Sequence, residues 1–240
     1  MRTRARVVFF DLGETLVTQN IEDNLVTKLA LDELSEKLPK RVSGDTLYRI
    51  YGRGFRANDA IRSRHHVEIP VQVWMRELLR QALGTEPADW LVEKAIRIIV
   101  RNRAANSVVF KEAGPILERL SNRQVRLGII SNVSSHEVAL RILKHVKLEE
   151  YFEHVITSAY TGIRKPDPGI FLYALNQFGL EPEQAIHVGD SEVHDVRGAK
   201  PVGITAILVK DSQGTLVTDA DYSFRSLREA ASTLEALTAA

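Results

Sequence analysis

Four short apolar runs, at residues 6–10, 125–131, 185–188 and 205–209, constrain this chain more than any other feature. Each is rich in Val and Ile, and none alternates apolar with polar side chains. A strand with apolar groups on both sides must be covered on both, which is the condition of an inner strand in a parallel sheet. A weaker run at 155–158 reads as a fifth strand, and helical segments stand between the runs at 113–122, 135–146, 169–178 and 195–200. That alternation predicts an α/β fold, a doubly wound parallel sheet with right-handed crossovers.

Residues 18–105 break the alternation. They hold no good strand, only helical periodicity at 23–38, 44–61, 70–83 and 88–103. Leu25, Leu29, Leu31 and Leu34 mark one face of the first helix, and Trp74, Leu78 and Leu79 one face of the third. Pro39, Pro70 and Pro87 fall at the expected helix boundaries, where proline is tolerated. The stretch is too long for a plain crossover. It predicts an inserted helical domain over 18–105, with 1–17 and 106–240 forming the α/β domain. Trp74 and Trp90 are assigned to the insertion's core or to its contact with the sheet domain.

Composition narrows the function classes. The 32 Lys and Arg against 31 Asp and Glu leave a net charge of +1, which argues against a surface built mainly for nucleic acid. No apolar run approaches the roughly 20 residues of a membrane span. The basic residues 1–6 are followed by only four apolar residues before Asp11 interrupts them, too few for a signal peptide. A cytoplasmic location is expected. Cysteine is absent, so thiol nucleophiles and thiolate metal sites are excluded.

In an open parallel sheet, ligands bind beyond the carboxyl ends of the strands. The first run delivers Asp11 there, with Gly13 and Thr15 in the following turn, and the second delivers Ser131 and Asn132. The weak strand leads into Thr161-Gly162-Ile163-Arg164-Lys165-Pro166-Asp167-Pro168. The third delivers Gly189-Asp190-Ser191, with Asp195 one helical turn further on. Such a set suits phosphoryl transfer. A carboxylate can attack phosphorus and split one hard step into two. Two acidic residues with a backbone carbonyl suit Mg²⁺, a hard cation that prefers oxygen. A lysine and a hydroxyl can neutralise and hydrogen-bond the transferring group.

The motifs resemble those of the haloacid dehalogenase superfamily, and they occur in its order. Asp11-Leu12-Gly13-Glu14-Thr15 is similar to the first, Ile129-Ile130-Ser131-Asn132 to the second, Arg164-Lys165-Pro166-Asp167-Pro168 to the third, and Gly189-Asp190-Ser191-Glu192-Val193-His194-Asp195 to the fourth. The resemblance implies a Rossmann-like core with a helical cap inserted after the first motif. It implies Asp11 as nucleophile, Ser131 and Lys165 gripping the phosphoryl group, and Thr15 and Asn132 as further phosphate contacts. Mg²⁺ would be held by Asp11, the Gly13 carbonyl and Asp190, with Asp195 ligating directly or through water. The partner implied is a small phosphorylated metabolite; the oligomeric state is left open.

One position departs from the family pattern. Most phosphatases of this family carry a second aspartate two residues after the nucleophile as general acid and base, and here that position is Gly13. Loss of a positioned proton donor costs about 10²–10⁴-fold. Some sugar-phosphate phosphatases of the family have glycine there, and Glu14 is a candidate substitute. Competing readings are carbon–halogen or carbon–phosphorus cleavage, and a weakly catalytic member acting as a binding module. Three other features read as structural. Residues 52–57 mimic a dinucleotide fingerprint but follow a helical pattern. Arg49, Arg53 and Arg56 form a solvated stripe, and His65 and His66 beside Glu68 point in different directions.

Overall fold

The computed structural model describes residues 4–210 and 218–238. Among these, six parallel strands form one sheet: β1 (Val7–Phe10), β4 (Arg126–Ser131), β5 (His154–Thr157), β6 (Ala185–Gly189), β7 (Thr205–Val209) and β8 (Tyr222–Phe224). Their spatial order is β5-β4-β1-β6-β7-β8. The chain steps from β1 to β4 on one side and later to β6 on the other, so the order reverses at β1. That reversal opens the crevice in which such sheets bind ligands.

The sheet is covered on both faces, which is why its strands show no polar alternation. Val8, Phe10, Leu127, Ile129, Ile186, Val188, Ile207 and Val209 join one apolar cluster with α5 (Ala113–Asn122), α6 (His136–His145) and α10 (Leu227–Thr238). Val7, Phe9, Ile130, Ala206 and Leu208 join a second with α8 (Pro168–Phe178) and α9 (Arg197–Ala199). Neighbouring residues of a strand thus enter opposite cores, as the two-residue period requires. A short α7 (Ser158–Thr161) follows β5 directly.

Four helices stand between the first and second core strands: α1 (Asp23–Ser35), α2 (Gly44–His65), α3 (Val71–Leu83) and α4 (Asp89–Ala105). The chain enters and leaves them through an antiparallel ribbon of β2 (Val17–Gln19) and β3 (Ser107–Val109), with Val17 opposite Val109. The apolar cluster on the α5–α6 face continues into these helices through Leu31, Leu34, Trp74, Leu79 and Ile99 without a polar break.

Several expectations need correction. β2 puts strand at residues 18–19, the start of the stretch read as purely helical, β3 lies just beyond its end, and β8 was not foreseen. None has more than three residues, so no periodicity could show. Residues 195–200 are not a regular helix: a π turn over Glu192–Val196 precedes the three residues of α9. Leu25 and Leu29 are 48% and 45% exposed; the buried face of α1 is Val26, Ala30, Leu31 and Leu34. Steps of four from Val26 set that face, and Leu25 and Leu29 stand about 100° round from it. Trp90 is 57% exposed rather than buried, whereas Trp74 is enclosed as expected. The fingerprint-like residues 52–57 lie inside α2, where no loop can cradle phosphate.

Candidate active site

The carboxyl edge of β1, β4 and β6 gathers the predicted residues. Asp11 continues β1, its amide donating to the Val188 carbonyl at 2.8 Å. Ser131 ends β4 and is 3% exposed. Asp190 follows β6. The loop carrying Lys165 is tied to the second motif through Asn132, whose Nδ2 donates to the Lys165 carbonyl at 2.8 Å and whose Oδ1 accepts from the Lys165 amide at 2.9 Å. Asn132 therefore fixes the lysine backbone, a role that the sequence did not indicate.

Lys165 is not a solvated loop lysine. Its Nζ donates to Asp11 Oδ1 at 2.7 Å, to Asp195 Oδ1 at 2.6 Å and to the Ile130 carbonyl at 2.8 Å. Three acceptors match the three N–H groups of an ammonium. Burial alone would push the lysine pKa down, but Asp11 and Asp195 outweigh it and hold the pKa above its usual value. Burial raises the Asp11 pKa, Lys165 opposes that, and the net shift is upward. Burial also works against ionised Asp195, but Lys165 and His187 together keep it well below the usual carboxylate range.

Asp195 is held from every side. Its Oδ1 also meets His187 Nε2 at 2.8 Å, and its Oδ2 accepts from the Ser191 amide at 3.0 Å. Burial lowers the His187 pKa, so the ring is neutral near pH 7 and Nε2 carries the proton that it donates to the carboxylate. Gly189 makes room for this contact. A Cβ there would fall 2.2 Å from Asp195 Cγ, closer than any real contact. His187 escaped sequence reasoning; a histidine inside a fully apolar strand is the only signal that called for a buried partner.

Asp11, Asp190 and Asp195 each offer a carboxylate oxygen within 4.8 Å of the other two. Burial first, then the charges of Asp11 and Asp195, push the Asp190 carboxyl up to about 6. Three carboxylates against one lysine leave excess negative charge, and the donors are all oxygen, the chemistry of a hard divalent cation. A Cβ at Gly13 would meet no atom within 4 Å, so the site has room for the side chain that glycine lacks. Glu14 lines the cleft, but its carboxylate accepts from Thr18 Oγ1 at 2.8 Å. Thr15 is buried, its hydroxyl has no hydrogen-bond partner among the described residues, and it is not part of the cleft lining.

Asp11, Ser131, Lys165, Asp190 and Asp195 line a cleft of about 390 Å³ between the sheet edge and the inserted helices, with Arg103 and Arg164 among its walls. Arg103 and Arg164 were not foreseen as site residues. His65 and His66 lie at the end of α2, outside the cleft lining. Glu68 is no metal ligand in this fold: its side chain is fully enclosed and pairs with Arg164 and Arg62.

Known proteins are similar to this chain to different extents. The chain is 30% identical over 213 residues to a glyceraldehyde 3-phosphate phosphatase of Pyrococcus abyssi, covering 85% of this chain and 81% of that one. A solved structure of a 2-haloacid dehalogenase from Pseudomonas syringae pv. Tomato DC3000 superposes with a TM-score of 0.75 at 26% identity, covering 98% of this chain and 100% of the other. A haloacid dehalogenase (HAD) phosphatase from Thermococcus onnurineus does so at 0.67 and 28%, covering 95% and 97%. The haloacid dehalogenase-like hydrolase family model matches residues 5–203, spanning all four motifs from Asp11 to Asp195, and the chain belongs to that family of hydrolases.

Proposed function

We propose that the chain is a Mg²⁺-dependent phosphatase of a small phosphorylated metabolite, working through an aspartyl-phosphate on Asp11. The observation that carries this reading is the buried Asp11 carboxylate, 2.7 Å from the Lys165 ammonium and grouped with Asp190 and Asp195. The reading has Asp11 attack phosphorus while the bond to the leaving oxygen breaks. A water then attacks the aspartyl-phosphate, releasing inorganic phosphate and restoring the carboxylate. With glycine at position 13, the departing oxygen takes its proton from solvent, so good leaving groups are favoured.

The Ser131 hydroxyl and Lys165 serve to hold the phosphoryl oxygens, Lys165 by giving up its hydrogen bond to Asp11 as that carboxylate bonds to phosphorus. Asp11, the Gly13 carbonyl and Asp190 are the residues that would hold Mg²⁺. Since both oxygens of Asp195 accept hydrogen bonds, its part is to place Lys165 and to ligate through water. When bound, the cation neutralises charge on the transferring group. Residues 18–105 serve as the cap over the cleft. The ribbon that lets them leave and rejoin the core side by side supports that division, as do the cleft walls that they supply. Closure over such a site excludes water and selects the leaving group.

The similarity to a glyceraldehyde 3-phosphate phosphatase of Pyrococcus abyssi supports phosphoester chemistry, while the Pseudomonas dehalogenase keeps haloacid cleavage as the comparison to exclude. The test is phosphate release from p-nitrophenyl phosphate with and without Mg²⁺, beside chloride release from 2-chloropropionate. Metal-dependent phosphate release, lost in Asp11→Asn, is the expected result. Chloride release without metal, or equal phosphate release by wild type and Asp11→Asn, overturns the proposal.

A further inference from the structure

A buried carboxylate outside the Asp11 cluster links the inserted helices to the loops of the site. Glu68 stands between α2 and α3, its side chain is wholly enclosed, and it is not among the residues lining the cleft at Asp11. Both of its oxygens are engaged. Oε1 accepts from the Ile69 amide at 3.1 Å and stands 3.7 Å from Arg62 Nη1. Oε2 accepts from Ser158 Oγ at 2.6 Å and pairs with Arg164 Nη1. Two guanidiniums thus share one carboxylate, and Arg62 has Asp59 as a further partner at 3.0 Å.

These contacts close a ring. Arg164 precedes Lys165, whose amide and carbonyl are both bound by the Asn132 side chain. Val133 follows Asn132, and its amide donates to Ser158 Oγ at 2.9 Å. Ser158 in turn donates to Glu68. The path Glu68, Arg164, Lys165, Asn132, Val133, Ser158 therefore returns to its start, and Lys165 lies on it. The backbone reinforces the ring. Glu68 N donates to the Gly162 carbonyl, Arg164 N to the His66 carbonyl and Val71 N to the Ser134 carbonyl, each at 2.8 Å, and Val67 bridges Ile163. Residues 66–71 of the insertion are thus bonded to the loops of both the second and the third motif.

An ion pair is a poor way to stabilise a core, where apolar side chains of equal volume serve as well or better. A fully satisfied polar network contributes fixed geometry instead. The geometry fixed here is that of the backbone at Arg164 and Lys165, from which the Lys165 ammonium reaches Asp11 at 2.7 Å and Asp195 at 2.6 Å. Asn132 ties Lys165 to the second motif, and Glu68 ties both to the insertion.

We infer that Glu68 is a positioning residue, which fastens the inserted helices to the second and third motif loops so that the seating of the insertion and the place of the Lys165 ammonium are set together. Its part in turnover rests on the phosphatase reading above; the coupling itself does not.

The test joins amide hydrogen exchange, read by NMR, to kinetics with p-nitrophenyl phosphate and Mg²⁺. Glu68→Gln keeps the shape and removes the charge. It should speed exchange at the Arg164 and Lys165 amides by about tenfold, the equivalent of one lost charged hydrogen bond. Exchange at Val8 and Phe9 of β1 should stay as in the wild type. Its kcat should fall about 10–100-fold, as a slightly misplaced group costs. KM should stay within about twofold, because Glu68 does not line the cleft. Ser158→Ala cuts the ring and leaves both ion pairs, so it reports even if Glu68→Gln does not fold. It should move Lys165 exchange and kcat in the same directions by smaller factors. Lys165 exchange at the wild-type rate in the folded variants, an equal rise in β1, or full kcat despite faster Lys165 exchange overturns the inference. If no protein releases phosphate, wild type included, the phosphatase reading falls and exchange alone decides the coupling.

Discussion

Lys165 Nζ lies 2.7 Å from Asp11 Oδ1 and 2.6 Å from Asp195 Oδ1, so one buried ammonium joins the acid of the first motif to the last acid of the fourth. The residues are far apart in sequence, and every one of these contacts depends on the β4-β1-β6 order of the sheet. Removing the ammonium leaves two enclosed carboxylates facing each other. Breaking a buried charge network from one side costs about 3–5 kcal/mol. Lys165→Met should therefore lose turnover and that much stability together in a urea titration. An inactive variant of wild-type stability would mean that the lysine serves chemistry alone.

His187 acts through Asp195 and is a positioning residue, with its Nε2 2.8 Å from Asp195 Oδ1. Groups that orient metal-site carboxylates contribute about 10–100-fold to metal affinity or activity. His187→Phe should weaken Mg²⁺ binding by that factor in calorimetry, and His187→Gln, which restores a donor, should recover part of it. Equal affinity in both variants would remove the role.

Gly13 and Gly189 make opposite predictions. A Cβ at Gly13 meets nothing, so Gly13→Asp places a carboxyl where a proton donor acts in relatives of this family. It should raise turnover of alkyl phosphates, up to about 10²-fold, and change p-nitrophenyl phosphate hydrolysis little. At Gly189 the added Cβ collides with Asp195, so Gly189→Ala should lose activity and melt at lower temperature. Uniform effects of Gly13→Asp on both ester types would argue against a missing donor.

Acidity bears on the metal through Asp190, whose pKa is pushed up to about 6 by burial and by its two acidic neighbours. A carboxyl raised above its unfolded value is most favourable while protonated. Its contribution to metal-free stability is full below the unfolded value near 3.8 and is lost as pH rises through about 6. Mg²⁺ requires the ionised form. The rise in melting temperature on adding Mg²⁺ should be large at pH 7.5 and small at pH 5. An equal rise at both would show that Asp190 does not govern binding.

Much of this was legible in the sequence because it depends on local pattern. Apolar runs such as Val125 to Ser131 announce buried strands, and the residues at their ends then fall on one edge by topology alone. What escaped depends on long-range contact. Nothing in the sequence links Glu68 to Ser158 and Arg164, which are 90 and 96 residues away. Arg62 and Arg103 look like any surface arginine of an amphipathic helix until packing buries the first and half-buries the second. The misplaced face of α1 has a different cause: leucine is abundant on both sides of that helix, so composition alone pointed the wrong way at Leu25 and Leu29.

In the proposed reaction Asp11 carries the phosphoryl group. The most direct measurement is to mix the enzyme with a ³²P-labelled phosphoester and Mg²⁺, quench in acid within a turnover, and map the label by peptide. Acid-stable, hydroxylamine-labile label on the peptide containing Asp11, absent in Asp11→Asn, is the expected result. Full turnover with no label on that peptide, together with retained activity in Asp11→Asn, would contradict it.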